Sequence, residues 1–241
     1  MKNNKQVLVC GTPCQIAGIA QKFTKNDNLF LVQLVCHGVP SKKLFDDCCK
    51  ETFNEIPKEV NFKYHYPSWD NYSIKYSLKD KEVVINQKDD LFMKYFLSDT
   101  MLNNCCYHCR FVGKSTGADL IIGDCWGVNS IDKKMYNKDG VSIVKVNSQK
   151  GLDLFNSSTD GFNVIAIPKS KVKFSNENIF KPFHREETFY KKAEFVEKYK
   201  NNKIRSLNNY MNNLKTKNKS VKPGSKLKRF AKKIIKKLLK I

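Results

Sequence analysis

The 241-residue sequence predicts an α/β fold: a mixed sheet with flanking helices, plus a basic amphipathic helix at the C-terminal end. Three observations predict it. Two short apolar runs near the start are each followed by a turn and by apolar residues at helical spacing. The stretch 60–87 alternates apolar and polar residues and is rich in Tyr, Val and Ile, which is typical of antiparallel strands. The last segment, 225–241, carries an apolar stripe among lysines.

The first half of the chain predicts two consecutive strand–turn–helix units. Gln6–Cys10 is a short apolar run ending at Gly11, and Pro13 through Phe23 follows with helical spacing. Leu29–Val35 is a second apolar run, and Ser41 is placed to cap a second helix. Such folds build their sites where strands end, so we expect both strand-to-helix turns at one carboxyl edge of the sheet.

The later elements are predicted by the same rules. A hairpin turns at Lys79–Lys81, between Tyr72–Tyr76 and Val83–Asn86. We further predict a helix over Asp89–Leu102, strands at Leu120–Gly123 and Val141–Val146, and a short helix at Lys150–Phe155.

Charge divides the sequence into a body and a tail. The net charge is +21, and twelve basic residues with no acidic residue lie between Lys215 and Ile241, which leaves +9 for the rest. The expected organisation is a domain over 1–205, a polar linker over 206–224 and a basic amphipathic helix over 225–241.

Nine cysteines in a chain without a signal-peptide pattern are typical of a reducing cytoplasm, where clustered cysteines bind metal or do redox work. No run reaches the roughly 18 apolar residues that a membrane-spanning helix needs. We therefore expect a cytoplasmic protein, peripheral at most at the inner face of a membrane.

Four cysteines lie at predicted turns and are the candidate metal ligands: Cys14, Cys36, Cys106 and Cys109. Cys106 and Cys109 are separated by two residues, a spacing that lets both thiolates bind one metal ion or one face of a cluster. Four thiolates suit tetrahedral zinc or a [4Fe–4S] cluster, and spacing alone does not choose between them. We interpret Cys10, Cys48 and Cys49 as buried apolar residues, and leave Cys105 and Cys125 open between the two roles.

The chain carries seven short motifs: Gly11–Gly18, Val35–Ser41, Cys106–Cys109, Gly123–Gly127, Gly140–Ser142, Lys181-Pro182 and His184-Arg185. In this order they resemble the C-terminal domain of the coenzyme F420 hydrogenase/dehydrogenase beta-subunit family. Cys14, Cys36, Cys106 and Cys109 fall on the family's cysteine positions. The resemblance implies FAD, a [4Fe–4S] cluster, and electron exchange between them and a hydride-accepting substrate.

The resemblance also implies a flavin site and a partner. Gly11, Thr12 and Gly18 lie on or near a strand-to-helix turn whose free N–H groups suit a phosphate. Asp124 and Trp126 follow a later strand and could face the flavin ring, the alternatives being a helix cap and core packing. Family members usually carry an upstream ferredoxin-like region, so we expect such a domain or a ferredoxin-like electron donor as partner. No catalytic residue is identified.

The family position ahead of the CxxC pair is usually arginine. Here Asn103 and Asn104 occupy it, and Cys125 replaces what is often a bulky residue. We also expect the strand at Val7–Cys10 to be interior to its sheet, with apolar surface left uncovered where upstream sequence normally packs.

Two other functional classes remain open. One is a zinc-stabilised module that binds nucleic acid through its basic charge. However, four arginines against 40 lysines disfavour base-specific recognition, so no specific nucleic acid is expected. The other is a degenerate, non-catalytic scaffold.

The C-terminal segment has the periodicity of a surface-lying membrane helix. Lysines and one arginine fill the face opposite its apolar stripe, so we expect binding to an anionic membrane surface, with docking on protein as the alternative. The stripe consists of Leu227, Phe230, Ala231, Ile234, Ile235, Leu238 and Leu239.

Overall fold

The fold was analysed in a computed structural model that describes residues 5–23, 26–99, 101–172, 174–180, 192, 195–197 and 199. The chain divides into two compact units, which are described separately. Unit 1 takes its residues from Met1–His37, His65–Asn71 and Cys109–Phe183. Unit 2 takes its residues from Gly38–Tyr64, Tyr72–His108 and His184–Ile241.

The described helices and strands are numbered in chain order. In unit 1 they are β1 Val7–Gly11, α1 Pro13–Lys22, β2 Leu29–Leu34, β6 Leu120–Asp124, β7 Ser142–Val146 and α5 Gln149–Ser158, with 3-10 helices at Val128–Ser130, Lys133–Met135, Lys169–Lys171 and Phe174–Ile179. In unit 2 they are α2 Lys42–Phe53, β3 Glu59–Tyr64, β4 Ser73–Ser77, β5 Glu82–Asn86, α3 Leu91–Leu97 and α4 Asn104–Tyr107.

Unit 1 contains a four-stranded mixed sheet in the order β1-β2-β6-β7. The first three strands are parallel, and β7 is antiparallel to β6. This confirms the predicted α/β class and the predicted shared edge, because parallel neighbours end on the same side.

The position of β1 corrects one expectation. Among the described strands β1 is at the edge of the sheet, next to β2 alone, and is not interior. Its apolar surface is nevertheless uncovered, since Val7 is 37% and Leu8 55% exposed.

Helix α1 packs against the sheet through one apolar face. Pro13 occupies its first turn, where a missing N–H costs nothing, and Ile16 is fully buried. Ile16 packs with Leu29, Leu31 and Ala118 into a small core. Apolar burial of this kind, rather than helix propensity, holds a ten-residue helix in place.

The start of α5 is held against the sheet by Asp119, a buried residue immediately before β6. One carboxylate oxygen accepts the Leu31 N–H at 2.9 Å, and the other accepts the Ser148 hydroxyl at 2.6 Å. The Ser148 hydroxyl in turn accepts the Gly151 N–H at 2.9 Å and so caps α5.

Unit 2 is built on an antiparallel sheet in the order β3-β4-β5, which confirms the predicted hairpin. Phe45, Phe62 and Phe92 form an aromatic cluster with ring centroids 5.1–5.7 Å apart. Phe45 lies on α2 and Phe92 on α3, so the cluster joins both helices to β3.

Helix α3 is shorter than the predicted Asp89–Leu102. Asp90 caps its start by accepting the Met93 N–H at 2.8 Å. The helix ends at Leu97 because Asp99 takes a left-handed backbone conformation, with φ of 60°.

The predicted linker over 206–224 and the amphipathic helix over 225–241 lie outside the described residues. In the part of the chain that is described, no helix is long and apolar enough to cross a membrane.

Candidate cofactor site

Three turns follow the carboxyl ends of the three parallel strands of unit 1. Strands β1, β2 and β6 end at Gly11, Leu34 and Asp124, and are adjacent in that order. The residues after them are Thr12–Cys14, Val35–His37 and Cys125–Trp126. Since α/β folds bind ligands at this edge, it is the candidate site.

The first turn holds Cys14 exposed at the N-terminus of α1. The Thr12 N–H donates to Gln15 Oε1 at 2.9 Å, and the Thr12 hydroxyl lies 3.0 Å from that oxygen and 3.3 Å from Cys14 Sγ. The first helical N–H bonded within α1 is that of Ile16, to the Thr12 carbonyl. Of the two N–H groups before it, that of Gln15 faces the Thr12 side chain in a capping box, and that of Cys14 faces the helix end.

Gly11 and Gly18 differ in position. Gly11 is buried at the end of β1, and a Cβ added there would lie 3.1 Å from Gln15 Oε1. Gly18 is exposed in the interior of α1, not in the turn, and a Cβ added there would meet no atom within 4 Å. The Gly18 surface is therefore open to a neighbouring molecule.

The second turn holds Cys36 half-buried between β2 and α2. Val35 packs on Gly123 of β6 so closely that an added Cβ would lie 2.7 Å from Val35 Cγ2. The glycine thus permits close approach of the two strand ends. The Cys36 carbonyl accepts the Asn178 side-chain amide at 3.5 Å.

The third turn places an exposed Asp124 before a half-buried Trp126. The Trp126 ring lies 5.1 Å from that of Trp69 at 37°, and packs beside an apolar cluster that includes Cys125. Asp124 caps no helix, because the 3-10 helix that follows is preceded by Gly127.

Cys125 is a core residue. It is 5% exposed and contacts an apolar cluster, and burial raises the pKa of its thiol. Its contacts in the apolar cluster favour the packing role for Cys125.

Two asparagines that the sequence analysis missed lie under the second and third turns. Asn176 is fully buried and donates to the Trp126 carbonyl at 2.9 Å, and Asn178 donates to the Cys36 carbonyl. The Oδ1 atoms of both are buried and accept no hydrogen bond from any described residue. A lone Asn in a polar segment carries no spacing signal, so only the three-dimensional structure identifies these two.

The CxxC pair is divided between the units. Cys109 is half-buried and belongs to unit 1, as do Cys14 and Cys36. Cys106 belongs to unit 2. Within unit 2 the N–H of Val39, three residues after Cys36 in the chain, donates to Cys106 Sγ at 3.4 Å. The adjacent Cys105 is exposed.

A lysine lies against the α4 segment of unit 2. Lys192 Nζ donates to the Leu102 carbonyl at 2.6 Å and to Asn104 Oδ1 at 2.7 Å. Desolvation lowers the pKa of Lys192, while the charges of Cys106 and Cys105 oppose that shift. The Lys192 amino group therefore lies against both the backbone and the side chain at the start of α4.

The remaining cysteines divide by burial. Cys48 and Cys49 are each 2% exposed, as predicted, and burial raises the pKa of Cys49 to about 12. Cys10 is exposed, so its interpretation as a buried residue is wrong; it lies on the edge strand β1. Among the described residues, no three His, Cys, Asp or Glu side chains are arranged to hold one metal ion.

Comparison with known proteins gives one family match. The sequence model for the C terminus of the "Coenzyme F420 hydrogenase/dehydrogenase, beta subunit" matches residues 4–169. No curated protein matches. Among solved structures, a chain of the xenon-derivatised F420-reducing [NiFe] hydrogenase complex from Methanosarcina barkeri is similar, with 20% identity and a TM-score of 0.41. The match covers 80% of this chain and 61% of that chain.

Proposed function

Since the chain belongs to the family defined by the C terminus of the coenzyme F420 hydrogenase/dehydrogenase beta subunit, we propose that it is an oxidoreductase or its electron-transfer subunit. In this proposal it passes electrons between a [4Fe–4S] cluster, FAD and a hydride-accepting substrate. The observation that carries the proposal is the carboxyl edge of unit 1, where three parallel strands end in turns that bear Cys14, Cys36 and Trp126.

The cluster would be held by Cys14, Cys36, Cys106 and Cys109. Their chemistry fits it, because each thiol is exposed or half-buried and thiolates are the ligands that iron–sulfur clusters use. The Val39 N–H at Cys106 Sγ supplies a hydrogen bond of the kind that tunes a cluster's potential.

The flavin phosphates would lie at the N-terminus of α1. The Cys14 N–H, which precedes the first hydrogen bond within α1, supports this, since a helix N-terminus attracts anions. Gly11 leaves the backbone before α1 without a side chain, and Gly18 leaves an open surface further along α1. Asp124 and Trp126 would border the ring, and Asn176 would hold the Trp126 turn in place through its carbonyl.

The bound cofactors supply the chemistry: a cluster moves single electrons and a flavin stores two. The chain's own residues bind, orient and partly bury them. The electron donor in this proposal is an upstream ferredoxin-like domain or a separate ferredoxin-like protein, and the substrate is unassigned.

The visible spectrum of the anaerobically purified chain, reconstituted with iron, sulfide and FAD, tests the proposal. Resolved flavin bands in the blue and a broad brown shoulder, both persisting after desalting, are the expected result. A colourless protein that retains zinc would contradict it and favour the zinc-stabilised module, and a colourless metal-free protein would favour a non-catalytic scaffold.

A further inference from the structure

Strand β7 is an edge strand whose outer side is unpaired among the described residues. Cys125 N–H donates to the Val141 carbonyl, and Asn147 N–H to the Asp119 carbonyl. Bonded and non-bonded pairs alternate in an antiparallel ladder, so residues 143 and 145 also bond to β6. The N–H and C=O groups of residues 142, 144 and 146 therefore point away from the sheet.

A groove of about 310 Å³ runs beside this strand. Successive side chains of a strand point to opposite faces of the sheet. Because four consecutive β7 residues line the groove, it contacts both faces and therefore runs along the outer edge of β7. Apolar side chains dominate its walls. The lining residues are Ile143, Val144, Lys145, Val146, Ile167, Lys169, Val172, Ile179 and Phe180.

Two lysines that line the groove contact the same aromatic ring. Lys145 Nζ lies 5.4 Å and Lys169 Nζ 5.0 Å from the centre of the same Phe180 ring. Neither lysine forms an ion pair with a described residue. Two lysines without an ion-pair partner among the described residues give the groove a positive charge, which favours an acidic ligand.

We propose that this groove, the β7 groove, binds an extended acidic segment of a partner protein, which adds a strand to the sheet of unit 1. The outward backbone groups of β7 supply main-chain hydrogen bonds, as in other cases of strand addition. The apolar walls take alternate side chains of the segment, and Lys145 and Lys169 pair with its carboxylates. This site is separate from the carboxyl-edge turns and does not depend on the proposed redox function.

Titration of the cofactor-free chain with a fluorescent acetyl-Val-Glu-Val-Glu-Val-Glu-amide peptide tests the proposal. Saturable binding is expected, with no binding of the matched peptide that carries Lys in place of Glu. Lys145→Gln with Lys169→Gln should weaken binding about fivefold to tenfold, because two partly exposed charge pairs are lost. The charge-matched control Lys133→Gln with Lys134→Gln, at exposed lysines outside the groove, should bind as the unaltered chain does.

The backbone contribution has its own control. Val144→Pro removes an outward N–H without breaking the β6–β7 ladder and should abolish binding, whereas Val144→Ala keeps that N–H and should retain most of it. Amide exchange measured by NMR gives a second readout: Val144 and Val146 should exchange fast in the free chain and slowly with peptide.

Three results would overturn the proposal: no saturable binding of the acidic peptide, equal binding of both peptides, or unchanged binding and exchange in a folded Val144→Pro chain. If the lysine variants lose binding while Val144→Pro does not, the lysines alone hold the peptide and no strand is added, which also overturns the proposal.

Discussion

At the residue scale, burial divides the nine cysteines into three exposed, three half-buried and three buried residues. Cys10, Cys14 and Cys105 are exposed, whereas Cys48 and Cys49 are almost completely buried. Burial disfavours the thiolate, which is the reactive form, and raises the pKa of Cys48 and Cys49.

We therefore expect brief iodoacetamide treatment of the native, cofactor-free chain to label the exposed cysteines and to spare Cys48, Cys49 and Cys125. Peptide mass spectrometry measures the labelling, with urea-unfolded chain as the control in which all nine react. Labelling of Cys48 as fast as Cys10 in the native chain would contradict the described packing.

Asp90 supplies a pH prediction at the same scale. Burial raises the pKa of Asp90, although its hydrogen bonds from Tyr76 and the Met93 N–H oppose the shift. A folded pKa above the unfolded one means that stability present at low pH is lost as pH rises through the folded pKa. The contribution of Asp90 to the free energy of unfolding should thus be largest below about pH 4 and should decrease as the pH rises above that value.

Asp90→Asn keeps an acceptor for the Met93 N–H and removes the buried charge. The variant should be at least as stable as the unaltered chain at pH 7 and should lose this part of the pH dependence, whereas Asp90→Ala should lose about 1 kcal/mol with the cap. Urea unfolding at several pH values measures this. A destabilised Asn variant at pH 7 would show that the carboxylate charge itself is needed.

At the element scale, we expect the substitution of glycine by alanine to have opposite effects on stability at two helical positions, Gly151 and Gly18. A Cβ on Gly151 of α5 would lie 2.3 Å from the Asp119 carbonyl oxygen, whereas one on Gly18 of α1 would meet nothing. Gly151→Ala should therefore cost about 1–3 kcal/mol by overpacking. Gly18→Ala should stabilise the chain by up to about 1 kcal/mol, because alanine is the better helix former. Thermal unfolding of the two variants is the measurement, and equal effects would refute the described packing of α5.

The elements were predictable where a local pattern dictates them. Apolar runs indicated β1 and β2, and alternation around Lys79–Lys81 indicated the β4–β5 hairpin. Two features lay beyond the local pattern. The backbone of Asp99 ends α3 early, and β1 is an edge strand, because sheet order depends on contacts with distant segments.

The candidate site was predictable only in part for the same reason. Cys14 and Cys36 could be placed at one edge because each follows a parallel strand. Asn176 and Asn178 could not be found, since their role depends on hydrogen bonds to residues 50 and 142 positions away. The burial of Cys125 likewise depends on an apolar cluster assembled from separate segments.

At the scale of the whole molecule, the basic segment 225–241 predicts membrane association. The full chain should bind vesicles containing anionic lipid and should be released by high salt, because each basic residue near such a surface contributes about 1 kcal/mol before screening. Deleting Ser225–Ile241 should abolish co-sedimentation with the vesicles and leave the cofactor spectrum unchanged. Equal vesicle binding by the shortened chain would contradict the prediction that residues 225–241 bind the membrane.

The central claim is that Cys14, Cys36, Cys106 and Cys109 hold one [4Fe–4S] cluster. Mössbauer spectroscopy with iron and sulfide analysis of the anaerobically reconstituted chain tests it most directly. We predict about four irons and four sulfides per chain with the signature of a cubane cluster. Cys36→Ser should lose this cluster, while Cys10→Ser, an exposed cysteine outside the set, should retain it in full. A reconstituted chain without a cubane signal, or a Cys36→Ser chain that keeps the full cluster, would contradict the claim.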